Sequence, residues 1–261
     1  MFSLPPRQTR SYFQFALMLI ALSVLLYWGA ERSGYHWQWY RLPRFLWSSD
    51  ETGWHPGPLL QGLSVTFQIV AVSMVMALIF GLGAALLRLS SSRLGSLLAR
   101  VYLETIRNTP LLIQLFVIYF VIAPVLDVSR FTSAVLALSL FEGAYASEII
   151  RAGVVSVARG QWEASYSLGL SLRDTYRDVI LPQAIRRIVP PLTSQAISLV
   201  KDSALVSTIA IYDLTMQGQV IVAETFLTFE TWLTVAAIYL AVTVTLSFLV
   251  KLLEERFAVP G

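Results

Sequence analysis

The sequence is poor in the residues that most often perform chemistry. Its 261 residues include no cysteine, two histidines and two lysines. Without cysteine the chain has no disulfide, no thiolate metal site and no cysteine nucleophile, and two histidines argue against a multi-histidine metal centre. Lys201 and Lys251 both follow valine, whereas a Walker A loop for ATP needs glycine before its lysine. No resident cofactor or metal is therefore expected.

The chain is instead rich in apolar residues. Hydrophobic residues make up 56% of the chain and charged residues 13%, and the mean hydropathy is +0.66. Soluble proteins average about 25% charged residues, and a soluble fold of this length leaves roughly a quarter of its unfolded-chain surface in water. The composition therefore predicts a membrane protein.

The distribution of apolar residues predicts an all-α polytopic fold. A helix needs about 20 mostly apolar residues to cross the hydrocarbon core, and six stretches meet or approach that length. The fifth is interrupted by Lys201-Asp202. The six predicted spans are Tyr12–Ala30, Leu59–Leu87, Thr109–Leu126, Ser133–Ile150, a stretch within Ile188–Tyr212, and Thr231–Leu253.

The basic residues predict the orientation of these spans. Arg7 and Arg10 precede the first span, the segment 152–187 is rich in arginine, and Asp213–Glu230 has no lysine or arginine. Because cytoplasmic loops of membrane proteins are enriched in these residues, both termini are predicted to be cytoplasmic. The net charge of +3 then reflects an inside-positive membrane protein and indicates no nucleic-acid partner.

Three regions are expected along the chain: an anchor helix over 1–30, an external aromatic loop over 31–57, and a transmembrane domain over 58–257. The first region resembles a signal peptide in its basic start, but its apolar run is longer and no A-x-A site follows, which favours an uncleaved anchor. The aromatic loop is expected at the lipid headgroup level, with a ligand-stacking platform as the alternative. Its rings are Tyr35, Trp37, Trp39, Tyr40, Trp47 and Trp54.

The cytoplasmic segment 152–187 is predicted to form two short helices. The first begins at Gly160 and is stopped by Gly169, and the second covers Ser171–Val179 and ends before Pro182, which cannot continue a helix. Taken by itself, this pattern is also typical of an amphipathic pair that only anchors a loop.

The spacing within this segment resembles the EAA loop of binding-protein-dependent ABC importer permeases. Glu163-Ala164-Ser165 is followed after three residues by Gly169, and after nine more by Val179-Ile180-Leu181-Pro182. Ser165 and Val179 replace the alanine and isoleucine of the family signature. Three further stretches are similar to the polar amino-acid branch of that family: Arg107–Leu115, Phe141–Gly153 and Ser198–Ser203. The resemblance covers about Gly57–Phe257 and leaves out the first span and the aromatic loop.

The resemblance implies the transmembrane-domain fold of a type I ABC importer in a bacterial inner membrane. It also implies four partners: an ABC ATPase dimer that carries ATP and Mg, a second permease chain, a periplasmic or lipid-anchored amino-acid-binding protein, and membrane lipid. In this family the EAA helices dock into the ATPase, so Glu163 is expected to contact it, Ala164 to allow close approach and Gly169 to supply the bend. The expected coupling residues are Gly160, Glu163, Ala164, Ser165, Gly169, Leu181 and Pro182.

Charged and polar residues within the predicted spans are candidates for the transport path, because charge in the bilayer usually faces a cavity or a partner. Glu142, Tyr145, Gln195 and Lys201 are the candidate path residues. The alternative is structural: Glu148 and Arg151 can pair at i,i+3, as can Glu104 and Arg107, and Lys201-Asp202 can cap a broken helix. The residues assigned structural or gating roles are Arg107, Thr109, Pro110, Glu148, Arg151 and Asp202.

Two other functional classes remain open at this point. An ion-gradient-driven secondary transporter accounts for the buried carboxylates, although not for the EAA spacing. A membrane-embedded enzyme would need a catalytic or metal-ligand cluster, and none is visible. For an importer, the stretch Phe141–Glu148 favours an acidic or amide amino acid as the transported solute.

Overall fold

The computed structural model of the chain describes residues 34–50 and 53–257, together with 14–18, 20–21, 24–25, 27–29 and 32. The chain divides into two compact units, residues 1–41 and 42–261. In the first unit, every described position from 14 to 32 is helical, in agreement with the predicted first span. A 3-10 turn follows at Trp39–Arg41, and Trp37 stacks on Trp39 with ring centroids 5.7 Å apart. Arg7 and Arg10 lie outside the described residues.

The second unit opens with a short helix and a β-hairpin, so the expectation of an all-α fold is wrong at this point. Helix α1 covers Pro43–Leu46, and strands β1 (Trp47–Asp50) and β2 (Gly53–Pro56) pair antiparallel. Tryptophan favours the pleated, half-exposed surface of a strand, which accounts for strands where a loop was expected.

The next part of the chain forms one long helix and one sharply bent pair. Helix α2 covers Pro58–Leu89, close to the predicted second span. Helix α3 (Arg93–Arg107) is followed at an angle of 106° by a helical stretch over Leu111–Leu126. That stretch comprises α4 (Leu111–Phe116), a π-helical turn (Val117–Ile122) and α5 (Ala123–Leu126).

The central long helix leads into the loop that carries the EAA-like spacing. Helix α6 covers Arg130–Val155 and α7 covers Arg159–Ser167. A single turn, α8 (Leu172–Asp174), continues through a π-helical turn (Thr175–Ile180) into α9 (Leu181–Asp202). The predicted helix end before Pro182 is therefore wrong. Pro182 lies in the first turn of α9, where its missing N–H needs no helical partner.

The last part of the chain confirms the predicted interruption at Lys201-Asp202. Helix α9 ends at Asp202, a 3-10 segment covers Ser203–Ile209, and α10 (Leu214–Thr225) follows. Helix α11 covers Thr228–Phe257. Among the described residues, three helices are long and apolar enough to cross a membrane, and up to five spans result if each of the two bent pairs is one span.

Helices α2 and α6 pack most closely where the sequence shows small residues. A Cβ atom on Gly81 would lie 2.8 Å from Ala146 Cβ, and one on Gly143 would lie 3.0 Å from Phe80 Cβ and from the Tyr102 hydroxyl. Ala85 and Ser147 are fully buried. Without a hydrophobic driving force between helices in lipid, such close approach supplies much of the attraction.

We expect Gly81→Leu to destabilise the fold by about 1–3 kcal/mol, because the added side chain overpacks the α2–α6 contact. The measurement is the thermal unfolding midpoint of the chain in detergent. Gly83→Leu is the matched control, since nothing lies within 4 Å of a Cβ at that position. Equal stability of the two variants would contradict this account of the packing.

Candidate functional site

The end of α7 explains the spacing of the EAA-like loop. The Leu170 N–H donates to the Ser165 carbonyl at 3.1 Å, and the Gly169 N–H donates to the Tyr166 carbonyl at 3.0 Å. These two bonds form a Schellman motif, in which the residue after the helix cap takes a left-handed conformation. Gly169 occupies that position with φ +74°. The predicted bend at Gly169 is therefore present, four residues after Ser165.

The loop packs as a compact unit on the ends of two long helices. Ile180 is fully buried among Val154 and Val157, from the end of α6 and the residues after it, and Ala184 and Ile188 of α9. The ring of Trp162 meets that of Tyr176 edge-on, with centroids 5.1 Å apart. The Gln183 amide donates to Gln161 at 3.3 Å, and Arg187 donates to the carbonyl and hydroxyl of Ser156. The loop thus makes direct contacts with both α6 and α9.

The predicted coupling residues divide between the inner and outer faces of this loop. Ser165 is buried and its hydroxyl donates to the Gln161 carbonyl at 2.7 Å, so it lies on the inner face. Gly160, Glu163 and Ala164 are exposed, and Glu163 forms a 3.0 Å ion pair with Arg159 one turn earlier. Three large apolar side chains are exposed on the same loop: Tyr166, Leu168 and Leu172.

Leu181 and Pro182 are also exposed and begin α9. Their position marks the point at which the loop joins the long helix. They lie outside α7, and α9 begins with them directly after the π-helical turn.

A second candidate site lies midway along α6. The side chain of Glu142 is buried, and neither carboxylate oxygen has a hydrogen-bond partner among the described residues. Gln195 and Asp202 of α9 are the polar side chains that interact with it. Of the other predicted path residues, Lys201 is exposed and adjoins Asp202, whereas Tyr145 is half-buried. The structure thus brings Glu142 and Gln195 together, with Asp202 as a third member.

Tyr145 belongs to a separate aromatic contact. Its ring lies 5.1 Å from that of Phe141, and the guanidinium of Arg107 lies 5.6 Å from the Tyr145 ring centroid. No salt bridge joins Arg107 to Glu104 within residues 53–257, and Glu104 instead accepts from the Asn108 amide at 3.0 Å. The expected Glu104–Arg107 pair is therefore replaced by a cation–π contact between α3 and α6.

The predicted Glu148–Arg151 ion pair is present, with a third member. Glu148 on α6 accepts from Arg151, one turn later, and also from Arg88 near the end of α2. The sequence does not predict the role of Arg88, because the end of an apolar run shows only that a basic residue is near the membrane surface. These ion pairs connect the ends of α2 and α6 beside the EAA-like loop.

Thr109 and Pro110 form the sharp bend between α3 and α4, which Gln114 holds in place. The Gln114 amide donates to the carbonyls of Ile106 (2.7 Å) and Thr109 (2.9 Å) and to the Thr109 hydroxyl (2.8 Å). These carbonyls lie at the helix break, where the regular backbone pattern cannot satisfy them. Gln114 is buried and had no role assigned from the sequence.

A buried polar cluster at the start of α10 was also missed. The Asp213 carboxylate accepts from the Met216 N–H at 2.9 Å and from the Tyr239 hydroxyl at 3.4 Å. The Thr66 hydroxyl accepts from the Leu214 N–H at 3.2 Å. An aspartate before a helix is a recognisable N-cap signal, but its long-range partners leave no local pattern. Among the described residues no group of three or more His, Cys, Asp or Glu could hold a metal ion.

Comparison with known proteins gives consistent matches. Residues 77–259 match the family described as "Binding-protein-dependent transport system inner membrane component". The chain is 39% identical over 220 residues to the glutamine transport system permease protein GlnP of Escherichia coli (strain K12), covering 83% of this chain and 99% of that protein. It is 44% identical over 170 residues to the L-cystine transport system permease protein TcyB of Bacillus subtilis (strain 168), covering 64% and 72% of the two chains.

Two solved structures share the fold. An amino acid ABC transporter with histidines matches with a TM-score of 0.73 and 40% identity, over 76% of this chain and 94% of that one. The MetNI methionine ABC transporter in an inward-facing conformation matches with a TM-score of 0.67 and 19% identity, over 77% and 97%. The second likeness concerns the fold alone.

We expect Gln114→Met to destabilise the fold by about 1–3 kcal/mol, because the partly buried carbonyls of Ile106 and Thr109 lose the amide that donates to both. The measurement is again thermal unfolding in detergent. Gln61→Met is the control, since Gln61 donates one exposed bond, to Pro56. A Gln114 variant as stable as the Gln61 variant would show that the bend does not depend on this side chain.

Proposed function

The chain belongs to the family of binding-protein-dependent transport system inner membrane components and is an amino-acid permease of an ABC importer, and we propose that it forms half of the pathway for an acidic or amide amino acid. The similarity to a glutamine permease over nearly that protein's whole length supports this solute class. The Phe141–Glu148 stretch that favours it carries the buried Glu142.

The proposed topology has six spans with both termini in the cytoplasm. Up to five spans come from the three long helices and the two bent pairs, and the sixth is the stretch Tyr12–Ala30. The arginine-rich segment 152–187 then faces the cytoplasm, as the positive-inside tendency requires. The proposed regions are an anchor over 1–30, an external segment over 31–57 that includes the hairpin, and a permease domain over 58–257.

The proposed partners follow from this topology. An ATPase dimer binds and hydrolyses ATP with Mg, because neither lysine of this chain lies in a Walker A loop. A second permease chain supplies the other half of the pathway, and a binding protein delivers the amino acid. This chain then converts movement of the ATPase into movement of its helices.

The exposed face of α7 is the observation that carries the coupling role. Glu163 and Ala164 are exposed there, and large apolar side chains on the same loop are also exposed. Exposed apolar groups of this kind, next to a charge, are typical of a protein interface. The rigid packing of the loop on α6 and α9 supports transmission of force from this face into the membrane.

Glu142 and its neighbours are the proposed contact for the solute inside the membrane. Its carboxylate lies midway along α6 with no hydrogen-bond partner among the described residues. A buried carboxylate without a partner is strongly disfavoured, and the ammonium group of an amino acid supplies the missing donors. We propose that the Gln195 amide binds the same solute and that Tyr145 and Lys201 line the rest of the path.

Glu163→Arg is expected to abolish binding-protein-stimulated ATP hydrolysis and transport in proteoliposomes, because it reverses the charge that faces the ATPase. Assembly of the permease chains and their insertion in the membrane are expected to be unchanged. Transport that continues without any ATPase would point instead to a secondary transporter.

Arg159→Met is the matched control for this variant. It breaks the Arg159–Glu163 ion pair and leaves Glu163 in place, so transport is expected to persist. Loss of transport in both variants would show that the ion pair within α7 is itself required, and would contradict a role of Glu163 that depends only on contact with the ATPase.

Glu142→Gln is expected to lower the transport rate at least tenfold, since it removes the charge that holds the solute ammonium. A tenfold change corresponds to a loss of roughly 1.4 kcal/mol of interaction free energy. Binding of glutamine and glutamate to the partner binding protein is expected to stay the same, as measured by its thermal stabilisation. Unchanged transport by this variant would remove Glu142 from the path. Stabilisation of the binding protein by neither solute would exclude the proposed solute class.

A further inference from the structure

The hairpin β1–β2 is attached firmly to one end of the helix bundle. The Gly57 N–H, directly after β2, donates to the Leu46 carbonyl at 2.7 Å. A Cβ atom on Gly57 would lie 2.5 Å from the Phe45 carbonyl oxygen. Phe45 and Leu59 are buried in one apolar cluster that also includes Leu214, Leu227 and Val235. The hairpin therefore has a defined place beside the start of α2 and the α10–α11 turn.

The two faces of the hairpin differ in chemistry. Trp47 is paired with Pro56, and Ser49 with Trp54. Since paired residues share a face and neighbours along a strand alternate, these four side chains lie on one face, and Ser48 and His55 lie on the other. Trp47 is 53% exposed and Trp54 is 76% exposed. One face of the hairpin is thus a tryptophan surface, and the other is polar.

The length of α2 locates this surface relative to the bilayer. Its 32 residues correspond to about 48 Å, whereas a bilayer including its headgroup regions is about 40–45 Å thick. Both ends of α2 therefore reach the polar surfaces of the membrane. The hairpin, which joins α2 through Gly57, begins at that level.

Other aromatic side chains lie at the same end of the bundle. Phe226, Phe229 and Trp232, at the turn between α10 and α11 and in the first turns of α11, are exposed. Leu227 from this turn belongs to the apolar cluster that holds α1. Aromatic rings gathered at one end of a transmembrane bundle are typical of the lipid–water interface, where an apolar ring with a polar edge is stable.

We propose that the Trp47–Trp54 face of the hairpin binds the lipid headgroup layer at the start of α2, with the Ser48–His55 face toward water. The hairpin holds α1, and through α1 the adjoining ends of α2, α10 and α11, at a fixed depth in the bilayer. Residues 47–56 contain no lysine or arginine and two acids, Asp50 and Glu51, so attachment depends on the rings and needs no anionic lipid.

Adjacent serines provide a matched test in this cysteine-free chain. Ser49→Cys and Ser48→Cys place one thiol on the tryptophan face and one on the polar face, and each is labelled with an environment-sensitive fluorophore in the full chain in lipid nanodiscs. The label at residue 49 is expected to emit at shorter wavelength and to be quenched by nitroxide headgroup lipids, at least as strongly in neutral as in anionic nanodiscs. The label at residue 48 is expected to show neither effect.

A second variant tests whether the tryptophans themselves, and not only the location of the hairpin, account for the quenching. Adding Trp47→Ser and Trp54→Ser to the Ser49→Cys chain is expected to remove most of the quenching. Equal quenching at residues 48 and 49, or quenching that survives loss of both tryptophans, overturns the proposal. So does a label at residue 49 that is shielded only when the partner binding protein is added, which assigns the surface to that protein. The measurement needs no ATPase or transport, so its outcome is independent of the transport proposal.

Discussion

Backbone polar groups within a membrane need partners from the protein itself, because hydrocarbon supplies none. Straight helices meet this need internally, but the chain breaks its helices at several points, and at two of these breaks buried side chains complete the hydrogen bonding. At the 106° bend after α3, Gln114 donates to the freed carbonyls. At the start of α10, Asp213 and Thr66 accept from backbone N–H groups. The bends are thus specified by buried polar side chains.

The same principle, applied at the membrane surface, explains why the EAA-like spacing has its particular length. The Schellman motif at the end of α7 needs a left-handed residue four positions after the carbonyl of Ser165, and only glycine adopts that conformation without steric cost. Ser165 itself is buried against the preceding turn, so a small residue is required there. The neighbours Glu163 and Ala164 are exposed. An outward-facing pair and a buried residue thus lie within three consecutive positions.

Features set by local pattern were predictable, and features set by distant contacts were not. The long helices α2, α6 and α11 follow from apolar runs, and the bend at Gly169 follows from one glycine. The π-helical turn before α9 was missed because Pro182 is compatible with both a helix end and a helix start. Arg88 joins Glu148 across 60 positions of sequence, and Tyr239 joins Asp213 across 26. No spacing rule encodes such pairs, since they depend on how the helices pack.

Glu142 is the informative exception to this pattern of satisfied groups. Several buried hydroxyls lack a partner atom, but among the described residues Glu142 is the one buried carboxylate with neither oxygen accepting a full hydrogen bond. A contact between helices would be more stable with an apolar residue here, because an unpaired buried charge destabilises the fold. The nearby Gln195 amide offsets part of this cost, whereas Asp202 adds a second acid. A carboxylate in this position therefore fits the proposed contact with a cationic group that arrives and leaves, such as the ammonium of an amino acid.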